Sequence, residues 1–285
     1  MAEKISSKKV YDDEPEDDVE MSFWDHLEEL RGHLIRSIAA IIILSVVAFL
    51  MKHFIFDEII LAPLSEDFIT NRLLCRAGEL LNISALCIGK INMSMQNISM
   101  SGQFSTHIYV SMMAGLVVAA PYIIWELWRF IVPALKPNER KYSSGAVIFT
   151  SGLFVLGVLF AYYLIVPLTI NFLGTYQVSE QVANQIHLSS YISTVLSVIL
   201  AVGIVFELPV FIYFFTKIGL VTPAFLKKNR KVMLVIVLTI SAIITPPDIF
   251  SQILVCIPLM GLYELSILIS KRIYKQRQEE LEATD

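Results

Sequence analysis

Long apolar runs separated by short polar connections dominate this chain. Four of these runs, at 34–56, 106–130, 143–166 and 191–216, are predominantly apolar along their whole length. Each exceeds the ~20 residues that a helix needs to cross a hydrocarbon core of about 30 Å. These runs therefore predict four transmembrane helices.

Two further apolar runs, 232–245 and 249–269, are separated only by the turn residues Pro246, Pro247 and Asp248. The first of them gives a helix of about 21 Å at 1.5 Å per residue, which is shorter than the bilayer core. Such a helix needs a locally thinner bilayer or shelter by its neighbours. The pattern thus predicts an all-α polytopic membrane protein with six transmembrane helices, of which the fifth and sixth form a short hairpin.

The composition agrees with this class. Hydrophobic residues make up 55% of the chain and charged residues 17%, whereas about 25% of a typical soluble domain is charged. Much of the formal net charge of −4 comes from the acidic stretch 11–20, which is typical of a disordered tail. We expect a disordered acidic cytoplasmic tail at 1–21, a six-span membrane domain at 22–270 and a charged cytoplasmic tail at 271–285. No cleavable signal peptide is expected, because the first apolar run lacks a small-residue cleavage site.

Basic residues are distributed unevenly between the two sides of the predicted bundle. Of the 22 Lys and Arg residues, all except Lys52, Arg72, Arg76 and Lys90 fall on the side that holds both termini. Because Lys and Arg are enriched in cytoplasmic loops, both termini are predicted to be cytoplasmic.

The first external connection, 57–105, is long enough to form structure of its own. Its fragments IILAPLSEDFI and TNRL are amphipathic and predict short interfacial helices that cap the outer side. Cys75 and Cys87 both lie in this loop, where an oxidising compartment would permit a disulfide. The spacing alone does not distinguish this bond from two free thiols. Cys256, in the sixth run, is interpreted as a small apolar packing residue.

Motifs for catalysis, metal binding and nucleotide binding are absent from the sequence. The five histidines form no HExxH or Cys/His pattern typical of a metal site, and neither a phosphate-binding glycine loop nor a GxSxG elbow occurs. No Ser and His are placed to form an intramembrane protease. The chain is therefore predicted not to be an enzyme and to need no metal or cofactor.

Glu207 is a carboxylate within the fourth apolar run. Placing a charged residue at the bilayer centre costs roughly 2.5–3.5 kcal/mol on insertion scales, so such residues usually face protein or water and mark functional sites. Pro209 follows it, removes a backbone donor and leaves the carbonyl of Val205 without its helical partner. Glu207 could be a proton carrier, a polar docking point for a partner helix or, least favoured, a lipid-exposed charge.

Two other carboxylates, Glu29 and Glu139, are predicted at the otherwise basic cytoplasmic face. Each alone could be a structural ion-pair partner: Glu29 of Arg31 or Arg36, and Glu139 of a nearby lysine. Together they could form an acidic notch that accepts a pair of guanidinium groups. Arginine suits such a notch because its planar fork binds a carboxylate in a bidentate manner, whereas lysine offers a point charge.

Several motifs, in this order and spacing, resemble the TatC family, the multi-span receptor subunit of the twin-arginine (Sec-independent) protein translocase. They are HLEELR at 26–31, APL at 62–64, PYIIWELWRFIVPALKPNER at 121–140, FELPV at 206–210, TPPDIFSQ at 245–252 and IPLMGLYE at 257–264. The matching motifs extend over nearly the whole chain, and their combination is far more specific than any one of them.

The resemblance implies a concave, glove-like bundle of six helices, with short fifth and sixth helices and a cap formed by the external loops. The implied function is to bind twin-arginine signal peptides and, with single-span partners of the TatA and possibly the TatB type, to transport folded proteins using the proton motive force. It also implies a place in the bacterial inner membrane and self-association in a larger complex. Neither a cofactor nor a nucleic-acid partner is expected.

The resemblance further assigns roles to individual residues. The positions implied in signal-peptide binding are Glu29, Glu139, Phe130, Trp128 and Leu135. The positions implied in partner docking are Glu207, Pro209, Asp248 and Gln252. Three residues depart from the family pattern. Glu126 stands where glutamine is common and adds a carboxylate beside the notch, His33 stands where many members have a second basic residue, and Tyr109 replaces a frequent lysine.

Two alternatives share these features. An ion-coupled secondary transporter would use Glu207 as an intramembrane proton carrier, but the sequence has no visible internal repeat of the kind such proteins often contain. A membrane scaffold without cargo would use the same docking residue and would bind no twin-arginine peptide.

Overall fold

The computed structural model describes residues 23–65, 67–81, 95–132, 143–179, 181, 184–245 and 249–282. This part of the chain is almost entirely helical. Its α-helices are α1 Phe23–Leu50, α2 Ile69–Leu81, α3 Gly102–Ile131, α4 Ser143–Phe160, α5 Val166–Thr175, α6 Leu188–Val205, α7 Leu208–Lys217, α8 Pro223–Lys228, α9 Arg230–Ile244 and α10 Ile249–Glu282.

Shorter elements complete the secondary structure. Phe54–Ile60 and Ala161–Ile165 are π-helical, and Ala62–Leu64 is a 3₁₀ turn. Strand β1, Met95–Gln96, pairs in parallel with β2, Ile186–His187, so that the first and second external connections meet. Cys87, Leu135, Glu139 and Asp248 lie outside the described residues.

Five helical segments of the described chain are long and apolar enough to cross a membrane. They are Glu28–Leu50, Gly102–Ile131, Gly145–Thr175, Leu188–Lys217 and Gln252–Gln276. The predicted run 232–245 forms α9, which has 15 residues and therefore a length of about 22 Å. The prediction of a mostly helical membrane protein is confirmed, and the count of six spans stays a prediction.

Small residues allow the long helices to approach closely, as is common where helices pack in membranes. A Cβ added at Gly115 of α3 would lie 2.2 Å from Ser45 Oγ and 2.6 Å from the Ser45 backbone nitrogen of α1. Among the described helices, these two have the most extensive contact. The buried core lies around α6, where Ile192 and Val202 are almost fully buried.

The first external connection is held against the ends of the spans by tyrosine hydroxyls. Tyr162 donates a hydrogen bond of 2.9 Å to the carbonyl of Ile59. Tyr191 donates one of 2.7 Å to the carbonyl of Ile60. The predicted short helices of this connection are confirmed as the 3₁₀ turn and α2. Cys75 in α2 is disulfide-bonded, but its pairing with Cys87 stays a prediction.

The last helix is longer than its predicted span. The run 249–269 belongs to α10, which continues to Glu282 and has 34 residues. It is tied to α7 by a buried hydrogen bond of 2.9 Å from Thr216 Oγ1 to Ser270 Oγ. It is also tied to α9, because Gln252 Nε2 donates to the carbonyl of Leu238 at 3.1 Å. Cys256 is a free, buried thiol within this packing.

Candidate functional site

The N-terminal part of α1 and the C-terminal part of α3 meet around one carboxylate, Glu126, which is almost fully buried. Its Oε2 lies 2.5 Å from His33 Nδ1. Its Oε1 accepts hydrogen bonds from Arg36 Nε at 3.1 Å and from the Tyr122 hydroxyl at 3.0 Å. Arg129 completes the group with an ion pair of 3.7 Å to the same oxygen. We call these five residues the Glu126 cluster.

Donor and acceptor roles in the Glu126 cluster follow from the carboxylate. Since an ionised carboxylate only accepts, His33 Nδ1 carries the hydrogen and donates it to Glu126. Arg36 Nη2, 3.0 Å from the same nitrogen, is then a neighbour and not a hydrogen-bond donor to it. The guanidinium groups of Arg36 and Arg129, with side chains 45% and 51% exposed, balance the buried charge while keeping contact with solvent.

A buried charge is costly unless it is paired and hydrogen-bonded, and Glu126 meets both conditions. Glu126 is therefore a carboxylate beside the expected notch that is satisfied within the chain. Glu126 lies at the expected end of the bundle, but its oxygens are occupied by residues of the same chain.

Glu29 lies one helical turn before His33 and so on the same face of α1. Its side chain is partly exposed. Within the described residues it makes no ion pair or hydrogen bond, with Arg31 and Arg36 included, and the guanidinium of Arg36 binds Glu126 instead. Glu29 is thus an unpaired acceptor among described groups.

Phe130 lies one turn beyond Glu126 on α3, with its ring centroid 6.0 Å from that of His33 in an edge-on arrangement. Glu29 and Phe130 therefore flank His33 at the same end of the α1–α3 pair. This placement agrees with their assignment to one site, whose other expected members, Glu139 and Leu135, lie outside the described residues.

Trp128 points away from this surface. It is 5% exposed, and its ring centroid is 5.2 Å from that of Phe214 in α7. It packs one helix on another, so any role in binding a peptide would be indirect. Among the described side chains, the indole of Trp125 is exposed, and its ring lies 4.9 Å from the Arg129 guanidinium carbon in a cation–π contact.

Glu207 lies where the fourth long segment is interrupted between α6 and α7. Its backbone nitrogen donates to the carbonyl of Ile204 at 3.1 Å, and its carbonyl accepts from Val210 N at 2.9 Å. Pro209 is the second residue of α7 and is buried. The helix is therefore interrupted next to the proline, as the sequence predicts.

Both carboxylate oxygens of Glu207 are buried, and neither has a hydrogen-bond partner among the described residues. The chain's own atoms cover them, so the reading of Glu207 as a lipid-exposed charge is wrong. Of the other predicted docking residues, Gln252 uses its amide within the chain, on Leu238, and Asp248 lies outside the described part.

No metal site is apparent in the part of the chain that the structure describes, where no group of three or more His, Cys, Asp or Glu side chains could hold an ion. The site offers carboxylates, guanidinium groups and aromatic rings instead. Such groups bind a partner through ion pairs, hydrogen bonds and stacking.

Comparison with known proteins identifies extensive sequence similarity. Residues 25–258 match the family model described as Sec-independent protein translocase protein (TatC). The chain is 44% identical over 260 residues to the TatC protein of Blattabacterium sp. subsp. Periplaneta americana (strain BPLAN), covering 90% of this chain and 98% of the relative. It is 34% identical over 260 residues to TatC of Aquifex aeolicus (strain VF5), covering 91% and 98%.

Two crystal structures of the twin-arginine translocase receptor TatC have a similar fold. One has a TM-score of 0.64 and 33% identity, and the match covers 87% of this chain and 99% of that one. The other, in the detergent DDM, has a TM-score of 0.66 and 34% identity, with 86% and 99% covered. Sequence and fold similarity therefore extend over nearly the whole length of these relatives.

Proposed function

The chain belongs to the TatC family of Sec-independent protein translocase proteins, and we propose that it is the receptor that binds twin-arginine signal peptides. In this proposal the two guanidinium groups of the peptide bind Glu29 and Glu139, and the apolar part of the peptide packs beside Phe130. Leu135 contributes to the same surface, and Trp128 supports it from behind. The protein then transports folded cargo with its partners, using the proton motive force.

One observation carries this proposal. Glu29 is partly exposed and unpaired among the described residues, although the same helix also carries Arg31 and Arg36. Arg36 and Arg129 bind the buried Glu126 instead. An unpaired carboxylate one helical turn from His33, whose ring contacts that of Phe130, suits an incoming arginine fork better than a structural ion pair.

The wider assignment follows from family membership and the distribution of charge. We propose six spans in a concave, glove-like bundle in the bacterial inner membrane, with both termini cytoplasmic and α9 as the short fifth span. The acidic stretch 1–21 and the charged stretch 271–285 are cytoplasmic tails of the membrane domain 22–270. The chain self-associates in a larger translocase complex.

Glu207 is proposed to act in assembly. Its carboxylate has no hydrogen-bond partner among the described residues, and it sits at an interruption of the helix beside Pro209. A polar group on a single-span partner of the TatA or TatB type could satisfy it. Asp248 and Gln252, near the turn before α10, are proposed to belong to a second contact with such partners.

The proposal is tested by peptide affinity in the full chain reconstituted in lipid nanodiscs. Glu29→Gln should weaken binding of a fluorescent twin-arginine peptide by about tenfold or more, since a charge-assisted pair is worth roughly 1.5–3 kcal/mol. Glu28→Gln is the matched control, because Glu28 is the exposed neighbour on the same helix and its loss changes the net charge equally. Glu139→Gln should behave like Glu29→Gln.

Equal affinity in the Glu29, Glu139 and Glu28 variants would refute this assignment. It would favour the membrane scaffold that binds no twin-arginine peptide. A crosslink from the peptide to a photoreactive residue at Phe130 supplies an independent check of the location.

A further inference from the structure

We propose that Glu126 is a positioning residue for the guanidinium site: it holds His33 and Arg36 so that α1 presents Glu29, one turn before His33, in one fixed orientation. This inference rests on the proposed function, because it concerns how the same site distinguishes arginine from lysine. None of the residues assigned to signal-peptide binding is part of the Glu126 cluster.

Helix α1 is attached to Glu126 of α3 through two side chains. His33 and Arg36 are three residues apart and reach opposite oxygens of one carboxylate, at 2.5 Å and 3.1 Å. Two contacts one helical turn apart on the same face fix both the rotation of α1 about its axis and its height along α3. Glu29 belongs to this face, one turn before His33, so its direction is fixed with them.

Neighbouring residues of α3 hold the carboxylate of Glu126 in place. Tyr122, one turn before Glu126, donates to Oε1 at 3.0 Å, and Arg129, one turn after it, lies 3.7 Å from the same oxygen. The side chain of Glu126 is only 1% exposed. Its charge therefore acts at short range with little solvent screening, unlike that of an ion pair on the surface.

Fixed orientation has a specific consequence for recognition. A bidentate arginine–carboxylate pair needs both planes aligned, whereas a lysine ammonium binds as a point charge over a wide range of directions. Loss of the anchor should therefore reduce the preference of the site for arginine. Affinity for any positively charged peptide should change much less.

The test compares a twin-arginine peptide with a twin-lysine peptide on the full chain in lipid nanodiscs. Glu126→Gln keeps the size of the side chain and removes its charge. We expect it to weaken twin-arginine binding by about tenfold, the lower end of the 10–100-fold that supporting residues contribute in metal sites. Twin-lysine binding should stay within about twofold, so that the ratio of the two affinities falls.

A second measurement follows the helix itself. Spin labels at the exposed positions Glu28 of α1 and Leu127 of α3 report the distance between the two helix ends without any peptide. We expect Glu126→Gln to broaden the distance distribution. Glu264→Gln is the matched control for both measurements, because Glu264 pairs with Arg230 at 2.7 Å and both side chains are about half exposed.

Three results separate the possibilities. An unchanged affinity ratio and an unchanged distance distribution in Glu126→Gln would overturn the inference. If Glu126→Gln lowers the affinity for both peptides equally and also lowers the melting temperature, Glu126 has a purely structural role. That result would also overturn the inference. If Glu29→Gln weakens twin-arginine binding by about tenfold or more in the same assay, the proposed function stands whatever Glu126→Gln shows. If Glu29→Gln has no effect, both proposals fall.

Discussion

Gly157 of α4 packs directly against Phe206, the residue before Glu207. A Cβ added at Gly157 would lie 2.7 Å from the Cβ of Phe206 and 3.1 Å from the Cα of Gly203. Both distances are too short for ordinary van der Waals contact, and Cα and Cβ atoms cannot move away without moving the backbone. The absence of a side chain at Gly157 thus sets how closely α4 and α6 approach beside the interrupted helix.

Gly157→Ala should therefore destabilise the protein by about 1–3 kcal/mol through overpacking. Gly152→Ala is the control, because a Cβ at Gly152 on the same helix would meet nothing within 4 Å. Thermal unfolding in detergent measures the difference. Equal melting temperatures for the two variants would mean that α4 can shift away from α6 at little cost.

Glu207→Leu should raise stability while lowering export. A buried polar group without a partner costs about 1–3 kcal/mol in protein mutational data, and leucine has a similar volume. The melting temperature should therefore increase, whereas crosslinking to a single-span partner should be lost. A variant that loses both stability and export would show instead that Glu207 supports the fold, and Glu207→Gln, which keeps a polar group, should retain part of the crosslinking.

Tyr191→Phe should loosen the packing of the segment around Ile60. The hydroxyl of Tyr191 is buried and donates to the Ile60 carbonyl at 2.7 Å, and leaving that carbonyl unpaired costs about 1–3 kcal/mol. Hydrogen exchange of the backbone around Ile60 measures the local opening. Tyr176→Phe serves as the control, since Tyr176 is 60% exposed. Loss of its hydroxyl should change the free energy of unfolding by less than about 0.5 kcal/mol.

Glu264→Gln should have only a small effect despite the short ion pair. Arg230 and Glu264 are 2.7 Å apart, with side chains 50% and 45% exposed, and exposed pairs contribute about 0.2–1 kcal/mol. The effect should disappear in 1 M salt, where the screening length is about 3 Å. A loss of stability that persists at high salt would indicate that lipid or a partner shields this pair from solvent.

Helices and their apolar faces could be predicted from this sequence because each depends on residues close together in the chain. Length and composition predict the four long segments, and Pro209 predicts the interruption beside Glu207. The end of α10 could not be predicted in the same way. Its polar continuation to Glu282 has no apolar pattern, and a polar helix differs little in composition from a polar tail.

The Glu126 cluster shows where such prediction stops. The spacing of Tyr122, Glu126 and Arg129 places them on one face of α3, which the sequence does indicate. The contact of Glu126 with His33, 93 residues earlier, depends on how α1 packs against α3, and a helical pattern identifies a face without identifying what covers it. Trp128 illustrates the same limit, because an aromatic residue near a site can equally well pack against another helix.

The uninterrupted course of α10 bears on how the protein can be labelled. A helix of 34 residues is about 51 Å long, which exceeds a hydrocarbon core of about 30 Å by some 20 Å. The described chain has no loop between the last apolar segment and Glu282, so a fluorescent protein fused directly after Glu282 would be held away from the bilayer by a rigid helix. Energy transfer from that fluorophore to a dye in the membrane would then report the height of the fluorophore above the membrane surface. The rigid helix would keep the spread of the measured distances small.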